Sequence, residues 1–155
     1  MPVKRLKEFL DSHNVKYITI NHSRIFTAEE TAKSAHIPRR EFAKTVITKI
    51  GEKIAMCVLP ASRRVSLDLL KNVVESCNVA IANEKEFKDL FPLCEIGAMP
   101  PFGNLYGMDV FVDETLSKGE EIAFNAGSHR ELIMMAYEDF DRLVKPKVTK
   151  FSTEI

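Results

Sequence analysis

The sequence has no excess of charge of either sign, because its 155 residues include 22 Lys and Arg and 22 Asp and Glu. A chain with zero net charge creates no strong overall field, so any anionic partner must be held by local groups. No apolar run approaches the roughly 18–20 residues of a membrane span, and the N-terminal residues turn charged before a signal-peptide apolar region develops. We therefore expect a cytoplasmic protein without a membrane partner.

Cysteine is also scarce, and its three residues lie too far apart for a CxxC site. An odd, dispersed set of cysteines suits a reducing compartment and argues against a disulfide framework. The sequence contains no GxGxxG, GxxxxGK[ST] or HExxH motif, and His13, His22 and His36 do not pair at the spacing of metal ligands. The sequence therefore predicts neither a cofactor nor a metal site.

The composition is that of a folded domain, with 45% hydrophobic and 28% charged residues. A chain of this length buries roughly 68–70% of the surface that it exposes when unfolded, so its core needs no disulfide or metal. No repeat or Gly/Ser/Pro linker interrupts the sequence. We expect one domain over residues 1–146, followed by a short polar tail, residues 147–155, that frays or forms an arm.

Hydrophobic periodicity predicts an α+β fold. Apolar residues at three- and four-residue spacing, together with capping residues, predict helices over residues 3–13, 27–35, 66–74, 83–90 and 137–144. β-Rich runs predict strands over residues 15–20, 42–50, 53–59, 79–82, 108–112, 121–125 and 132–136. The run 54–59 lacks polar alternation, so its strand should lie centrally with both faces covered. Because hairpins dominate, we expect a single domain with a mixed, largely antiparallel sheet that curls toward a barrel, with helices packed outside.

The clearest functional signal is Lys44, which lies in the predicted strand 42–50. Alternate side chains of a strand point to opposite faces, so Lys44 shares its face with Phe42, Val46 and Ile50. An ammonium group in an apolar stripe must find an anion, reach solvent through a pocket or lose its proton. The alternative is a lysine that snorkels to water or pairs with one structural carboxylate.

The second candidate is the segment EIGAMPPFGN, residues 95–104. Two glycines around a Pro-Pro pair make a loop that is bent but stiff. Such a loop can aim several backbone N–H groups at one spot, where they suit an ester carbonyl or a phosphate. The alternative is a connecting turn without a chemical role.

The third candidate is the segment NAGSH, residues 125–129, where a strand runs into an expected tight turn with Ser128 and His129 at its tip. His129 could bind a ribose or a phosphate, or transfer a proton. Without an obvious third partner, these two neighbours do not indicate a Ser-His nucleophile. The alternative is a hairpin turn with an exposed histidine.

Short basic clusters are the remaining candidates, because they could follow a phosphate backbone, although solvated surface charge is their default interpretation. They comprise Arg39, Arg40, Arg63, Arg64, Lys145, Lys147 and Lys150, with Phe151 as a nearby aromatic side chain.

Three separated segments together resemble the YbaK/EbsC family, the free-standing relatives of the editing insertion domain of bacterial prolyl-tRNA synthetase. They are FAKTV at 42–46, GAMPP at 97–101 and FNAGSH at 124–129, and HSRIFTAEE at 22–30 resembles the family's early His-to-helix segment. The order and separation also fit, so the resemblance covers essentially the whole chain. It implies an aminoacyl-tRNA deacylase that hydrolyses the ester of a mischarged tRNA in trans, on the family's mixed sheet rolled toward a barrel.

The resemblance also implies roles for single residues. The family's functional lysine falls on Lys44, its GxxxP loop on residues 97–101, and its glycine-histidine element on Gly127, Ser128 and His129. As a hypothesis, the lysine holds the terminal phosphate or the ester region, while amides of the loop bind the carbonyl oxygen as negative charge grows. The catalytic set predicted in this way is Lys44, Gly97, Ala98, Met99 and Pro101.

Specificity should come from a small pocket. Small acyl groups differ by only about 1–3 kcal/mol per methylene, so alanine, cysteine, serine and proline all remain candidates for the amino acid removed. Family members dedicated to alanine commonly carry Asn after the lysine, where this chain has Thr45. Substrate contacts are expected from His22, Ile25, Phe26 and Thr27, with Met99 as a further wall residue, and from Thr45, Gly127, Ser128 and His129.

Two other functions use the same residues. A non-catalytic module would bind an aminoacyl or nucleotide ligand tightly without hydrolysing it. Alternatively, burial could lower the pKa of Lys44 enough for Schiff-base chemistry in a small aldolase. The partners expected for a deacylase are the acylated acceptor end of a tRNA and, for delivery, an aminoacyl-tRNA synthetase.

Overall fold

The computed structural model describes residues 2–21, 37, 40–91, 94–95 and 97–154. Five α-helices lie in these ranges: α1 (Pro2–Ser12), α2 (Leu67–Val74), α3 (Glu84–Phe87), α4 (Glu114–Ser117) and α5 (Tyr137–Val144). Two 3-10 helices cover Lys88–Leu90 and Gly103–Tyr106. None of the described helices is long and apolar enough to cross a membrane.

Helix starts follow the capping residues in the sequence. Before α3, Asn83 Oδ1 accepts a hydrogen bond from the N–H of Glu86, and Glu86 Oε1 accepts one from the N–H of Asn83, both at 3.0 Å. This reciprocal pair satisfies two backbone groups that the helix leaves without partners. Helix α5 covers the predicted residues 137–144. The helix predicted over residues 27–35 lies outside the described residues.

Strands in the described ranges form three sheets. They are β1 (Tyr17–Asn21), β2 (Ala43–Ile50), β3 (Lys53–Pro60), β4 (Arg63–Val65), β5 (Val79–Ile81), β6 (Val110–Asp113), β7 (Glu121–Ser128), β8 (Glu131–Ala136), β9 (Lys147–Thr149) and β10 (Ser152–Glu154). The sheet orders are β5-β2-β3-β6-β9, β1-β8-β7 and β10-β4. The pairs β3–β6 and β6–β9 are parallel and the others antiparallel. The α+β class is therefore confirmed, although the described strands form no closed barrel.

Strand β3 is the middle strand of the five-stranded sheet, and Ala55–Pro60 are buried. Met56 and Val58 face the main core, which is built chiefly from apolar residues of α1, β7, β8 and α5. The opposite face contributes to a second cluster, which comprises Ala55, Cys57, Leu59, Leu70, Val79, Phe111 and Phe151. The prediction of a central strand with both faces covered is confirmed.

The C-terminal tail is part of the fold, so the expectation that it frays or forms an arm is wrong. Strand β9 pairs with β6, and β10 pairs with β4. Between these strands, Asp113 Oδ1 accepts hydrogen bonds from the backbone N–H groups of Phe151 (3.1 Å) and Ser152 (3.0 Å), and the ring of Phe151 is fully buried. The same carboxylate caps α4 through the N–H of Thr115. The polar sequence of the tail does not predict this anchor, because the carboxylate that forms it, Asp113, lies 38 residues before Phe151.

Among the described residues, one isolated bridge joins the five-stranded and three-stranded sheets. Phe42, just before β2, forms a parallel bridge with Ala123 of β7, and the N–H of Ala123 donates to the carbonyl of Glu41 at 2.9 Å. Both bridge residues belong to a third apolar cluster, which comprises Ile37, Phe42, Ala61, Ala123 and Leu132. This junction brings the start of β2 alongside the middle of β7.

Candidate functional site

Lys44 is the second residue of β2, half-buried and opposite Leu59 of β3. The predicted alternation is confirmed: Phe42 lies in the third cluster and Val46 packs on the second, whereas Ala43 faces the main core. The ammonium group is therefore attached to an apolar strand face between two hydrophobic clusters. A cation in such surroundings interacts more strongly with an anion than it would in water.

The start of β2, which carries Lys44, is joined to β7 by the bridge between the two sheets. Phe42 and Ala123 form this parallel bridge, and two residues further along each chain come Lys44 and Asn125. Alternation gives Lys44 the face of Phe42 and Asn125 the face of Ala123, and Phe42 and Ala123 lie in one apolar cluster. Asn125 is only 9% exposed.

The predicted loop of residues 97–101 has fewer usable donors than expected. Gly97 is exposed with φ +83°, a conformation that glycine adopts at little cost. The N–H of Ala98 donates to the carbonyl of Glu95 at 3.0 Å, and the two prolines have no N–H. The amides of Gly97 and Met99 are therefore the candidates for binding an oxyanion. The N–H of Ala98, which was expected among the donors, already has a partner within the turn, and Pro101 has no N–H to donate.

This loop and the end of β7 are joined by main-chain hydrogen bonds. The N–H of Glu95 donates to the carbonyl of Gly127 at 2.9 Å, and the N–H of Gly127 donates to the carbonyl of Ala98 at 2.8 Å. A Cβ built on Gly97 would lie 3.5 Å from Cε1 of His129. The second and third predicted segments therefore meet, with the imidazole packed against the glycine.

Glu95 is a functional candidate that the sequence did not single out by itself. Its Oε1 accepts a hydrogen bond from Ser128 Oγ at 3.2 Å, and its Oε2 accepts one from the N–H of His129 at 3.3 Å. One carboxylate thus holds the loop and the turn together by side chain as well as main chain. Its position two residues before Gly97 was the available signal, but a single acidic residue beside a loop does not reveal its partners.

The turn after β7 differs from the expected exposed hairpin. The strand continues through Ser128 with a bulge after Asn125, so the turn begins only at His129. His129 is 6% exposed, which excludes the alternative of an exposed turn histidine. The hydroxyl of Ser128 donates to Glu95 and accepts from the N–H of Arg130 at 3.1 Å, so its proton is already in use. These contacts agree with the absence of a Ser-His nucleophile.

Other predicted site residues lie apart from Lys44 or outside the described residues. Thr45 is on the opposite face of β2, which Ala43 and Ile47 turn to the main core. Met99 is buried in that core with 5% exposure. The structure therefore does not place Thr45 beside the lysine side chain. The expected substrate contacts His22, Ile25, Phe26 and Thr27 lie outside the described residues.

The basic clusters do not form a stacking surface around Phe151, because that ring is fully buried. Arg63 donates to Ser152 through Nε (to Oγ, 2.7 Å) and Nη2 (to the carbonyl oxygen, 3.0 Å), so it has a structural role. Arg39 lies outside the described residues. Exposed cations remain at Arg40, Arg64, Lys145, Lys147 and Lys150.

A cavity of about 830 Å³ opens elsewhere, between Ile54, Tyr106, Phe111 and Lys147 among others. Lys147 belongs to the basic clusters, but none of Lys44, residues 97–101 and residues 127–129 lines this cavity. The described residues also contain no group of three or more His, Cys, Asp or Glu side chains that could hold a metal ion. The contact between Gly97 and His129, together with Lys44 on β2, is therefore the candidate site.

Comparison with known proteins gives a family match. Residues 22–143 match the model of the family described as the aminoacyl-tRNA editing domain. The multifunctional Ser/Thr-tRNA deacylase ProXp-y of Escherichia coli (strain K12) is 23% identical over 96% of this chain and 91% of its own. The prolyl-tRNA editing protein ProX of Acetoanaerobium sticklandii is 23% identical over 92% of this chain and 90% of its own. These matches confirm the resemblance seen in the three segments.

Solved structures share the fold. The crystal structure of hypothetical protein APE2540 superposes with a TM-score of 0.86 at 18% identity, over 96% of this chain and 99% of that one. A candidate trans-editing enzyme for prolyl-tRNA synthetase superposes with a TM-score of 0.83 at 19% identity, over 98% and 97%. At these identities the likeness extends to the fold alone.

Proposed function

Because the chain belongs to the family of aminoacyl-tRNA editing domains, we propose that it hydrolyses the ester of mischarged aminoacyl-tRNA in trans, for a small amino acid such as alanine, serine, cysteine or proline. Family membership confirms the enzyme class predicted from the sequence, an aminoacyl-tRNA deacylase. The observation that supports the proposed site is the contact of Gly97 with His129.

The chemistry requires few groups. An aminoacyl ester is already activated, so a deacylase has mainly to hold the terminal nucleotide, orient a water or a substrate hydroxyl, and stabilise the oxyanion. In this proposal the amides of Gly97 and Met99 bind the carbonyl oxygen, and Lys44 holds the terminal phosphate or the ester region. His129 orients the ribose or the attacking group. No side-chain nucleophile is used, in keeping with the engaged hydroxyl of Ser128.

A small amino acid is supported by the names of two relatives, one a Ser/Thr-tRNA deacylase and the other a prolyl-tRNA editing protein. Pockets separate such side chains by only about 1–3 kcal/mol per methylene, so activity on several of them is expected. The proposed wall of this pocket is Ile25, Phe26 and Thr27, whereas Met99, the further wall residue expected from the sequence, has its side chain in the main core. Thr45 lies on the face of β2 opposite Lys44, so any effect of this residue on which amino acid is accepted would come from that opposite face.

Binding of tRNA should be weak, because the net charge is zero and the cations of the chain are balanced by an equal number of acidic residues. The proposed contact is the acylated acceptor end, and delivery by an aminoacyl-tRNA synthetase would compensate for weak affinity. The cytoplasm is the proposed location, and the three cysteines, Cys57, Cys77 and Cys94, are free thiols as a reducing compartment requires.

The direct test is a panel of aminoacyl-tRNAs. Ala-, Ser-, Cys-, Pro-, Thr- and Phe-tRNA are incubated with catalytic amounts of the protein, and the acylated fraction is followed over time. We expect rapid deacylation of one or more small amino acids and slow hydrolysis of Phe-tRNA, because a small pocket excludes the large ring.

A control without protein measures spontaneous ester hydrolysis. If a small-amino-acid ester binds tightly but decays at the spontaneous rate, the chain is a ligand-binding module rather than a deacylase. Hydrolysis of every ester at one common rate would refute the small pocket while leaving the enzyme class intact.

Replacing Gly97 with alanine tests the loop. The φ of +83° is unfavourable for alanine by about 1–2 kcal/mol, while the added Cβ meets His129 only at ordinary contact distance. The main chain should therefore shift rather than the imidazole, and we expect kcat to fall by about 10² or more as the oxyanion donor moves. The exposed Gly107, with φ +68° and open space around it, offers the matched control Gly107→Ala. Equal kcat values for the two variants would contradict the assignment of the loop.

A further inference from the structure

Asn125 on β7 is a buried polar residue that neither the fold nor the proposed mechanism uses. It is 9% exposed, and its Oδ1 is sealed from solvent without a hydrogen-bond partner in the described part of the chain. Buried polar atoms are nearly always paired, so an exception needs an explanation. Within the same part of the chain, one other side-chain atom is in this position, Oγ1 of Thr149 on β9.

Packing alone does not account for the amide. On β7, Phe124 and Ala126 turn to the main core, so Asn125 lies on the other face with Ala123 of the third cluster. Its cross-strand neighbour is Leu132. An apolar side chain of similar size would suit these neighbours and leave no acceptor unpaired. The sequence thus keeps an amide where folding by itself favours an apolar group.

The position of Asn125 indicates a role in the candidate site. Lys44 lies two residues beyond the bridge of the two sheets on β2, as Asn125 does on β7, and alternation assigns each of them to the face of its bridged neighbour. In the other direction, the bulge of β7 leads from Asn125 to Ser128 and His129, and His129 packs against Gly97. Along β7, Asn125 therefore lies after the bridge to β2 and before the contact of loop and imidazole.

We propose that the side-chain amide of Asn125 binds the free hydroxyl of the acylated ribose, next to the ester that is hydrolysed. The proposal rests on the proposed function. A terminal amide turns about its Cβ–Cγ bond over a broad range, so it can present either oxygen or nitrogen, and a hydroxyl pairs with either. This rotation brings the sealed oxygen to the substrate.

The α-ammonium group of the substrate fits this position less well. It can only donate hydrogen bonds, and a second cation, Lys44, lies two residues beyond the bridge on β2. A neutral amide suits a neutral partner. Recognition of this hydroxyl would also distinguish an RNA end from a DNA end.

The test measures binding of two non-hydrolysable probes, adenosine with the amino acid amide-linked at the 3′ position, and the same compound without the vicinal hydroxyl. Dissociation constants come from NMR shift titrations of wild type and Asn125→Leu. We expect the variant to bind the hydroxyl-bearing probe about tenfold more weakly and the deoxy probe as wild type does. Equal weakening for both probes, or no weakening, would overturn the inference.

Two further variants guard against a packing effect. Asn125→Ala is too small to clash and must show the same selective loss for the hydroxyl-bearing probe. Thr149→Val removes the other unpaired atom, which lies on β9. In the five-stranded sheet β9 is three strands from β2, a separation of about 14 Å, so this variant must leave both dissociation constants unchanged. Thermal unfolding of Thr149→Val and Asn125→Leu should occur at or above the wild-type temperature, since each removes an unpaired buried group.

Failure of this inference is distinct from failure of the proposed function. If wild type hydrolyses no aminoacyl-tRNA but Asn125→Leu loses the hydroxyl-dependent affinity, the amide contact stands and the deacylase proposal falls. If wild type hydrolyses a small-amino-acid ester and Asn125→Leu binds both probes as wild type does, only the role of Asn125 is refuted.

Discussion

Replacing Lys44 with alanine should lower kcat/KM for the preferred aminoacyl-tRNA by about 10²–10³, because one well-placed electrostatic group at a reacting ester is typically worth that factor. The side chain is half-buried on an apolar strand face, where its charge is less screened than at the surface. Stability should change by about 1 kcal/mol or less, since β2 keeps its backbone pairing. Single-turnover deacylation and thermal unfolding measure the two effects.

The same strand supplies a matched control. Lys49 lies on the other face of β2, is 45% exposed at its side chain and pairs with Glu86 at 3.1 Å. Lys49→Ala should leave deacylation within a factor of two and change stability by about 0.5 kcal/mol, as is usual for exposed ion pairs. A Lys44→Ala enzyme as active as Lys49→Ala would show that the lysine has no part in the reaction.

The largest expected loss of stability is that of Asp113→Ala, about 3–5 kcal/mol at neutral pH. This residue is 1% exposed, and its carboxylate accepts from two backbone N–H groups of the tail and from the first turn of α4. The variant leaves the N–H groups of Phe151 and Ser152 buried without an acceptor and removes a helix cap. For a chain of this length the unfolding midpoint should fall by about 10 °C.

The effect should also depend on pH. Burial by itself would raise the pKa of Asp113, but hydrogen bonds from Thr115, Phe151 and Ser152 outweigh it and lower the pKa below its ordinary value. A carboxylate with a depressed folded-state pKa stabilises the fold above its unfolded pKa of about 3.9 and loses this contribution as the pH falls. The difference between wild type and Asp113→Ala should therefore shrink in acid. Denaturant unfolding at several pH values measures it, with the exposed Asp109→Ala as the control.

Long periodic segments were predictable because their patterns are set locally. The β2–β3 hairpin and helix α5 lie where alternation and helical spacing placed them. The three-residue strands β4, β9 and β10 were missed, because their residues are mostly polar or charged, whereas the equally short but apolar β5 was predicted. What fixes them is a distant carboxylate, Asp113, and the burial of Phe151.

The candidate site likewise has features that follow from local sequence patterns and features that depend on the fold. The apolar surroundings of Lys44 follow from alternation along one strand, and they were predicted. The packing of Gly97 against His129 joins positions 32 residues apart, and only the folded chain reveals it. The hydrogen bonds of Glu95 and the engaged N–H of Ala98 likewise depend on how the loop turns. The residue types indicated ester chemistry, but which backbone N–H groups of the loop are available to a substrate could be seen only in the structure.

The two main-chain hydrogen bonds between the loop and Gly127 give the site a preorganised frame. Donor groups that are already fixed in position need little reorientation as charge develops on a substrate, and they lose little conformational entropy on binding. A small protein without net charge can therefore compensate for brief encounters with tRNA, because each encounter meets a frame that is assembled in advance.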